Sequence, residues 1–123
     1  MIIPIDKPAG ITSHDVVDRV RKASGIKKVG HAGTLDPFAT GVLLILVGRE
    51  ATRQSEELMA LPKEYKAEVK LGSTSSTGDR DGEIFSEEFE REHPDFDEVS
   101  HVVKQFIGEI EQIPPMHSAI KVQ

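Results

Sequence analysis

GHAGTLDPFATGVLLILV, residues 30–47, runs two signals together. Residues 42–47 are six apolar side chains in a row, short enough for a buried strand and stopped by Gly48. The part before them holds one carboxylate, Asp36, among glycines, threonines and a proline. Gly30, Gly33 and Gly41 permit backbone shapes and close approaches that a Cβ would obstruct, and Pro37 fixes the turn directly after the aspartate. A lone Asp-Pro usually just caps its own turn. Here the loop leads straight into a core strand, the rigid base that a catalytic group requires, so Asp36 is the first candidate for chemistry.

Outward from this stretch, Ile2, Ile3 and Ile5 predict a short strand, closed by Pro8 and Gly10. Thr12 and Asp15 fit a capping box, with Ser13 as an alternative cap. Val16, Val17, Val20 and Ala23 then fall on one helix face, and Gly25 ends the helix. Downstream, residues 49–61 predict a helix with Ala51, Ser55, Leu58 and Met59 on one face, stopped by Pro62. Residues 64–71 alternate, which predicts a strand with Tyr65, Ala67, Val69 and Leu71 facing inward. Residues 73–82 have loop composition and 83–86 predict a short strand. Asp97 is expected to cap a helix carrying Val99, Val102, Val103 and Phe106, with Gly108 as its stop. The last stretch, from Ile110, reads as extended and bent at Pro114 and Pro115. The expected fold is a single α+β domain, a mixed and mostly antiparallel sheet with packed helices.

The 123 residues suffice for one domain with a real core, and 37% hydrophobic with 29% charged is an ordinary soluble composition. No apolar run approaches the ~20 residues of a membrane-spanning helix, and the first residues lack a leader's basic and apolar pattern. Without cysteine there are no disulfides or thiolate metal sites, and the expected address is the cytoplasm. The net charge of -6 argues against nucleic acid until its distribution is read. Residues 1–53 carry +3 and residues 54–123 carry -9, so positive charge gathers in the half that holds Asp36.

Five ordered blocks resemble the TruB family of transfer RNA pseudouridine synthases. They are IDKPAGITSHDVV (5–17), KKVGHAGTLDPFATGVL (27–43), KEYKAEVKLG (63–72), STSSTGDRDGEI (73–84) and GEIEQIPPMHSAIKVQ (108–123). The TGDRDG segment favours the stand-alone bacterial type over the related synthases of box H/ACA particles. The family's later half, with further pocket residues and a small RNA-binding domain, finds no match here. The resemblance therefore implies residues 1–123 as the amino-terminal portion of a catalytic domain, with the carboxy-terminal half and RNA-binding domain absent.

That family isomerises uridine to pseudouridine, and the resemblance implies uridine 55 in the T-loop of tRNA as substrate. The bond from uracil N1 to ribose C1′ breaks, the base rotates, and C5 takes the place of N1, with no net gain or loss of atoms. No cofactor or metal is required. An ionised carboxylate can attack C1′ or the base, or support an oxocarbenium-like state, and Asp36 is the one candidate in the motif. The uridine must be flipped out and held against an aromatic face. Tyr65, the one tyrosine, reads from its pattern as a core aromatic, while the resemblance implies a pocket residue that stacks on the base and joins in proton transfer. His31 reads alone as a structural histidine and by resemblance as an RNA contact. Lys7 is expected either to position a phosphate or to support the loop, and Lys27, Lys28, Gly33 and Thr34 complete the expected RNA-binding set. His14, His93, His101 and His117 lack ligand spacing, and TGDRDGEI lacks the ordered ligands of a calcium loop. The alternative is a truncated, non-catalytic fragment that binds RNA or self-associates through a sheet edge at residues 121–123.

Overall fold

The computed structural model describes residues 1–86 and 93–113. They divide between two compact units, Met1–Lys66 and Ala67–Gln123.

In the first unit the strand expected from the early isoleucines is β1, Ile2–Lys7, and the apolar run is β3, Gly41–Val47. Between them lies β2, Val29–Ala32, a strand the sequence did not announce. All pairings are antiparallel in the order β1-β3-β2, so the apolar run is the centre of the sheet. The register places Ile3 and His31 on either side of Ile45, and Lys7 opposite Gly41. Strand alternation then sorts the side chains onto two faces.

One face, carrying Ile3, Ile5, Val29, Leu43, Ile45 and Val47, packs against Val16, Val17 and Val20 of α1, Ser13–Ser24. Burying valines and leucines in this way supplies about 1.5–3 kcal/mol per side chain before chain entropy is counted. The opposite face buries Ala32 and Leu46 against Ala51, with Leu44 and Leu58 beside them.

Helix α1 opens as its sequence predicts. The Thr12 hydroxyl accepts from the Asp15 amide at 3.0 Å, and an Asp15 carboxylate oxygen accepts from the Thr12 amide at 2.7 Å and from the Thr12 hydroxyl at 2.7 Å. These bonds, the hydroxyl's first, hold the Asp15 carboxyl below its ordinary pKa. Gly25 closes the helix in the left-handed region, at φ 71°. The helix expected over residues 49–61 is two short ones, α2 (Arg49–Arg53) and α3 (Ser55–Met59). They meet where the Gln54 amide bonds the Ala51 carbonyl, a tighter i to i−3 step that no residue type there signals.

Among the described residues, 62–70 join no ladder, which corrects the expected strand over 64–71. Tyr65 does not face inward; it is 68% exposed, and Val69 and Leu71 are exposed as well. Alternation buries a face only when something covers it, and among the described residues no strand pairs with this segment.

In the second unit, β4 (Ser73–Ser75) pairs with β5 (Ile84–Ser86) as a hairpin around the TGDRDG turn. Helix α4, Phe96–Lys104, is capped by Asp95 rather than Asp97. Asp95 and Glu98 exchange side-chain to backbone bonds at 2.8 and 3.1 Å, a box that Asp97 has no partner to form. The tail tightens into i to i−3 bonds at Phe106 and Ile107 before Gly108, at φ 96°. Pro114, Pro115, His117 and residues 121–123 lie outside the described residues, and so does the expected sheet edge. No helix among the described residues is long and apolar enough to cross a membrane.

Candidate active site

The loop between β2 and β3 leaves the sheet at Gly33, whose φ of 93° suits glycine, and returns at Gly41, whose φ is 119°. Gly30 needs no such freedom. It sits in β2 with ordinary space for a Cβ, which would meet the Thr52 methyl at 3.7 Å, so its expected steric role is corrected.

Asp36 and Pro37 form the corner of this loop. The Ala39 amide bonds the Asp36 carbonyl at 3.0 Å, closing a turn with proline in the position it favours. The Asp36 carboxylate is exposed and accepts no hydrogen bond among the described residues. It therefore does not cap its own turn, which removes the ordinary structural explanation for an aspartate before a proline.

The backbone on either side of Asp36 is held from elsewhere in the chain. Upstream, the Ser13 hydroxyl accepts from the Leu35 amide at 2.9 Å and donates to the Leu35 carbonyl at 3.1 Å. Downstream, the Pro37 carbonyl accepts from the Gly10 amide at 2.8 Å and from Lys7 Nζ at 3.2 Å. Lys7 also donates to the carbonyls of Ile11 at 2.7 Å and Pro8 at 3.0 Å.

Lys7 is 0% exposed, and three carbonyls engage the three N–H groups of its ammonium. No donor remains for a phosphate. The expectation of an RNA contact is corrected to loop support, the other role its position allowed. The reason is its register: as the last residue of β1 on the α1 face, opposite a glycine, it points its stem into the core. The sequence offers Ser13 as an alternative cap, but Thr12 takes that place and frees the Ser13 hydroxyl for Leu35. The one hint in the sequence was a surplus hydroxyl at an already capped helix start.

His31 stands on β2 rather than in the loop, across from Ile45 and two residues before Gly33. Its ring is half-buried, and Nδ1 is enclosed without a hydrogen-bond partner among the described residues. An enclosed nitrogen without a partner is exceptional, and it leaves the ring with hydrogen-bonding capacity that the described residues do not use. Thr34 is exposed beside it on the loop. Lys63 lies along Gly33, its Cε 3.8 Å from where a Cβ would stand, so the segment bearing Tyr65 passes the start of the loop. Lys27 and Lys28 are exposed but precede β2, at the end of the sheet where Val29 meets Val47. Roughly 10 Å of strand separates them from the Asp36 end, so they are not part of the same cluster.

The family model described as TruB family pseudouridylate synthase (N terminal domain) matches residues 21–123, which include His31, Asp36 and Tyr65. A protein named tRNA pseudouridine synthase B from Alkaliphilus oremlandii is 52% identical over 122 residues, covering 99% of this chain and 40% of that protein. One of the same name from Chlamydia pneumoniae is 47% identical over 122 residues, with 99% and 51% covered. The chain thus spans about half the length of the curated relatives it matches, or somewhat less. Among solved structures, a chain of "a Cbf5-Nop10-Gar1 Complex" aligns with a TM-score of 0.61 at 31% identity, over 98% of this chain and 30% of that one. With a loop that displays a carboxylate on a rigid sheet, and these likenesses along its length, the chain belongs to the TruB family of pseudouridylate synthases.

Proposed function

We propose that this chain carries the nucleophile-bearing part of an enzyme that converts uridine to pseudouridine in tRNA, acting at the T-loop uridine, position 55. The observation that carries the reading is the Asp36 carboxylate, exposed and without a bond among the described residues, on a loop whose backbone is fixed at both neighbouring residues. The name of its relatives, tRNA pseudouridine synthase B, supports the coarser part of this reading, pseudouridine formation in tRNA.

In this reading Asp36 either bonds to C1′ or to the base, or stabilises the cation left at C1′. The N1–C1′ bond breaks, the base turns and C5 bonds to C1′; any bond to Asp36 is broken as this happens, C5 gives up its proton, N1 takes one, and the carboxylate is regenerated. Tyr65 presents an open ring face on which a flipped uracil can stack, consistent with its exposure. His31, Gly33 and Thr34 meet the RNA at the loop, while Lys27 and Lys28 meet the phosphate backbone further along. The test is tritium release from a T-arm hairpin labelled at uridine C5, using the full-length protein and its Asp36→Asn variant. Release by the parent and none by the folded variant is expected. Equal release by both would sink the assignment.

The second reading is a segment that binds RNA or self-associates without turnover. The exposure of Tyr65 and of the apolar side chains of α4 favours it. It predicts retention of the hairpin with no tritium release.

A further inference from the structure

We infer that Ser13 is a positioning residue for Asp36, acting through the Leu35 backbone; this rests on the reading of Asp36 as the reacting carboxylate. Ser13 is 2% exposed and bonds Leu35 from 22 positions away, so it reaches the loop from within the core rather than from the open surface.

The two Leu35 groups it binds belong to different peptide units. The amide lies in the unit joining Thr34 to Leu35, and the carbonyl in the unit joining Leu35 to Asp36. One hydroxyl thus sets the orientation of both planes and, with them, both backbone torsions of Leu35. The next fixed point is the Pro37 carbonyl, held by Gly10 and Lys7. Between these anchors the proline ring already fixes its own φ, and proline confines Asp36 to extended conformations. Few torsions are left by which Asp36 can wander.

Leu35 also packs its side chain against the core. That contact holds its Cα–Cβ direction but leaves the peptide planes on either side free to rock. The Ser13 hydroxyl is what stops the rocking upstream, as Lys7 and Gly10 do downstream. Displacement of a reacting group by a fraction of an ångström is costly to rate and nearly neutral to binding.

The test compares Ser13→Ala with Thr12→Ala in the full-length protein. Thr12→Ala weakens the same helix start but bonds nothing in the loop. Hydrogen exchange at the Leu35 amide, thermal unfolding, and kcat and KM on the T-arm hairpin are measured for each. Ser13→Ala is expected to speed Leu35 exchange about tenfold. It is expected to lower kcat about tenfold or more with KM within about twofold. Thr12→Ala, at equal or greater loss of stability, is expected to do neither. Parent-like kcat in Ser13→Ala, unchanged Leu35 exchange, or the same fall in kcat from Thr12→Ala would each overturn the inference. A parent protein that releases no tritium would overturn the functional reading instead, and Leu35 exchange would still decide whether Ser13 holds the loop.

Discussion

Helices α1 and α4 begin alike and end in different circumstances. Each opens with a two-way capping box, Thr12 with Asp15 in one and Asp95 with Glu98 in the other. Each sets three valines at helical spacing, 16, 17 and 20 against 99, 102 and 103. Yet Val17 is 1% exposed and Val103 is 58% exposed. The caps and periodicity suffice to make a helix, because they act within one or two turns. Burial needs a second surface, and the first unit supplies a three-stranded sheet. All the buried apolar residues described lie in that first unit.

The contrast is open to attack by substitution in the 123-residue chain. Ile45→Ala empties the middle of the central strand, where the side chain is wholly buried, and is expected to cost about 4 kcal/mol in urea unfolding. Lys7→Ala strips donors from the carbonyls of Pro8 and Ile11 and empties the wholly buried space of the lysine stem, with an expected cost of about 3 kcal/mol. Thr12→Ala is expected to cost about 1 kcal/mol, whereas Asp95→Ala should lower helix content without moving the main unfolding transition. A shift of that transition by Asp95→Ala would tie α4 to the first unit's cooperativity.

Acid tests the α1 cap with a defined sign. The Asp15 carboxyl is held below its ordinary value in the folded chain, so its contribution is present above the unfolded-state value and is lost as pH falls through the folded one. Thr12→Ala should therefore flatten the acid side of the stability profile measured from pH 5 downward. The smallest effect is expected from Val103→Ala, within about 0.5 kcal/mol of the parent. A loss as large as that of Ile45→Ala would erase the distinction between the two helices.

The same distinction separates what could be read from the sequence and what could not. β1, α1 with its cap and its Gly25 stop, β3 and the turn at Pro37 carry their signals in neighbouring residues, and all are found. β2 is two glycine-flanked apolar residues around His31, and only its pairing with β3 makes it a strand. The alternation of residues 64–71 is as clean as any in the chain, but no strand among the described residues pairs with it, and Tyr65, Val69 and Leu71 stay exposed. At the site, Asp36 stands out because its loop is built from residues with special backbone needs. The partners of that loop, Lys7, Gly10 and Ser13, lie far back in the chain and are joined to it by folding alone.

The strand order carries a consequence for synthesis. β3, the last of the three strands to be translated, is the one that both others pair with. A nascent chain that has emerged from the ribosome only as far as Thr40 can already wind α1, but β1 and β2 have no partner and the Asp36 loop has no closed base. The ribosome must deliver Val47 before the sheet can form in one cooperative step. A pause in translation before that point holds two unpaired strands open to other chains, and a pause after it does not.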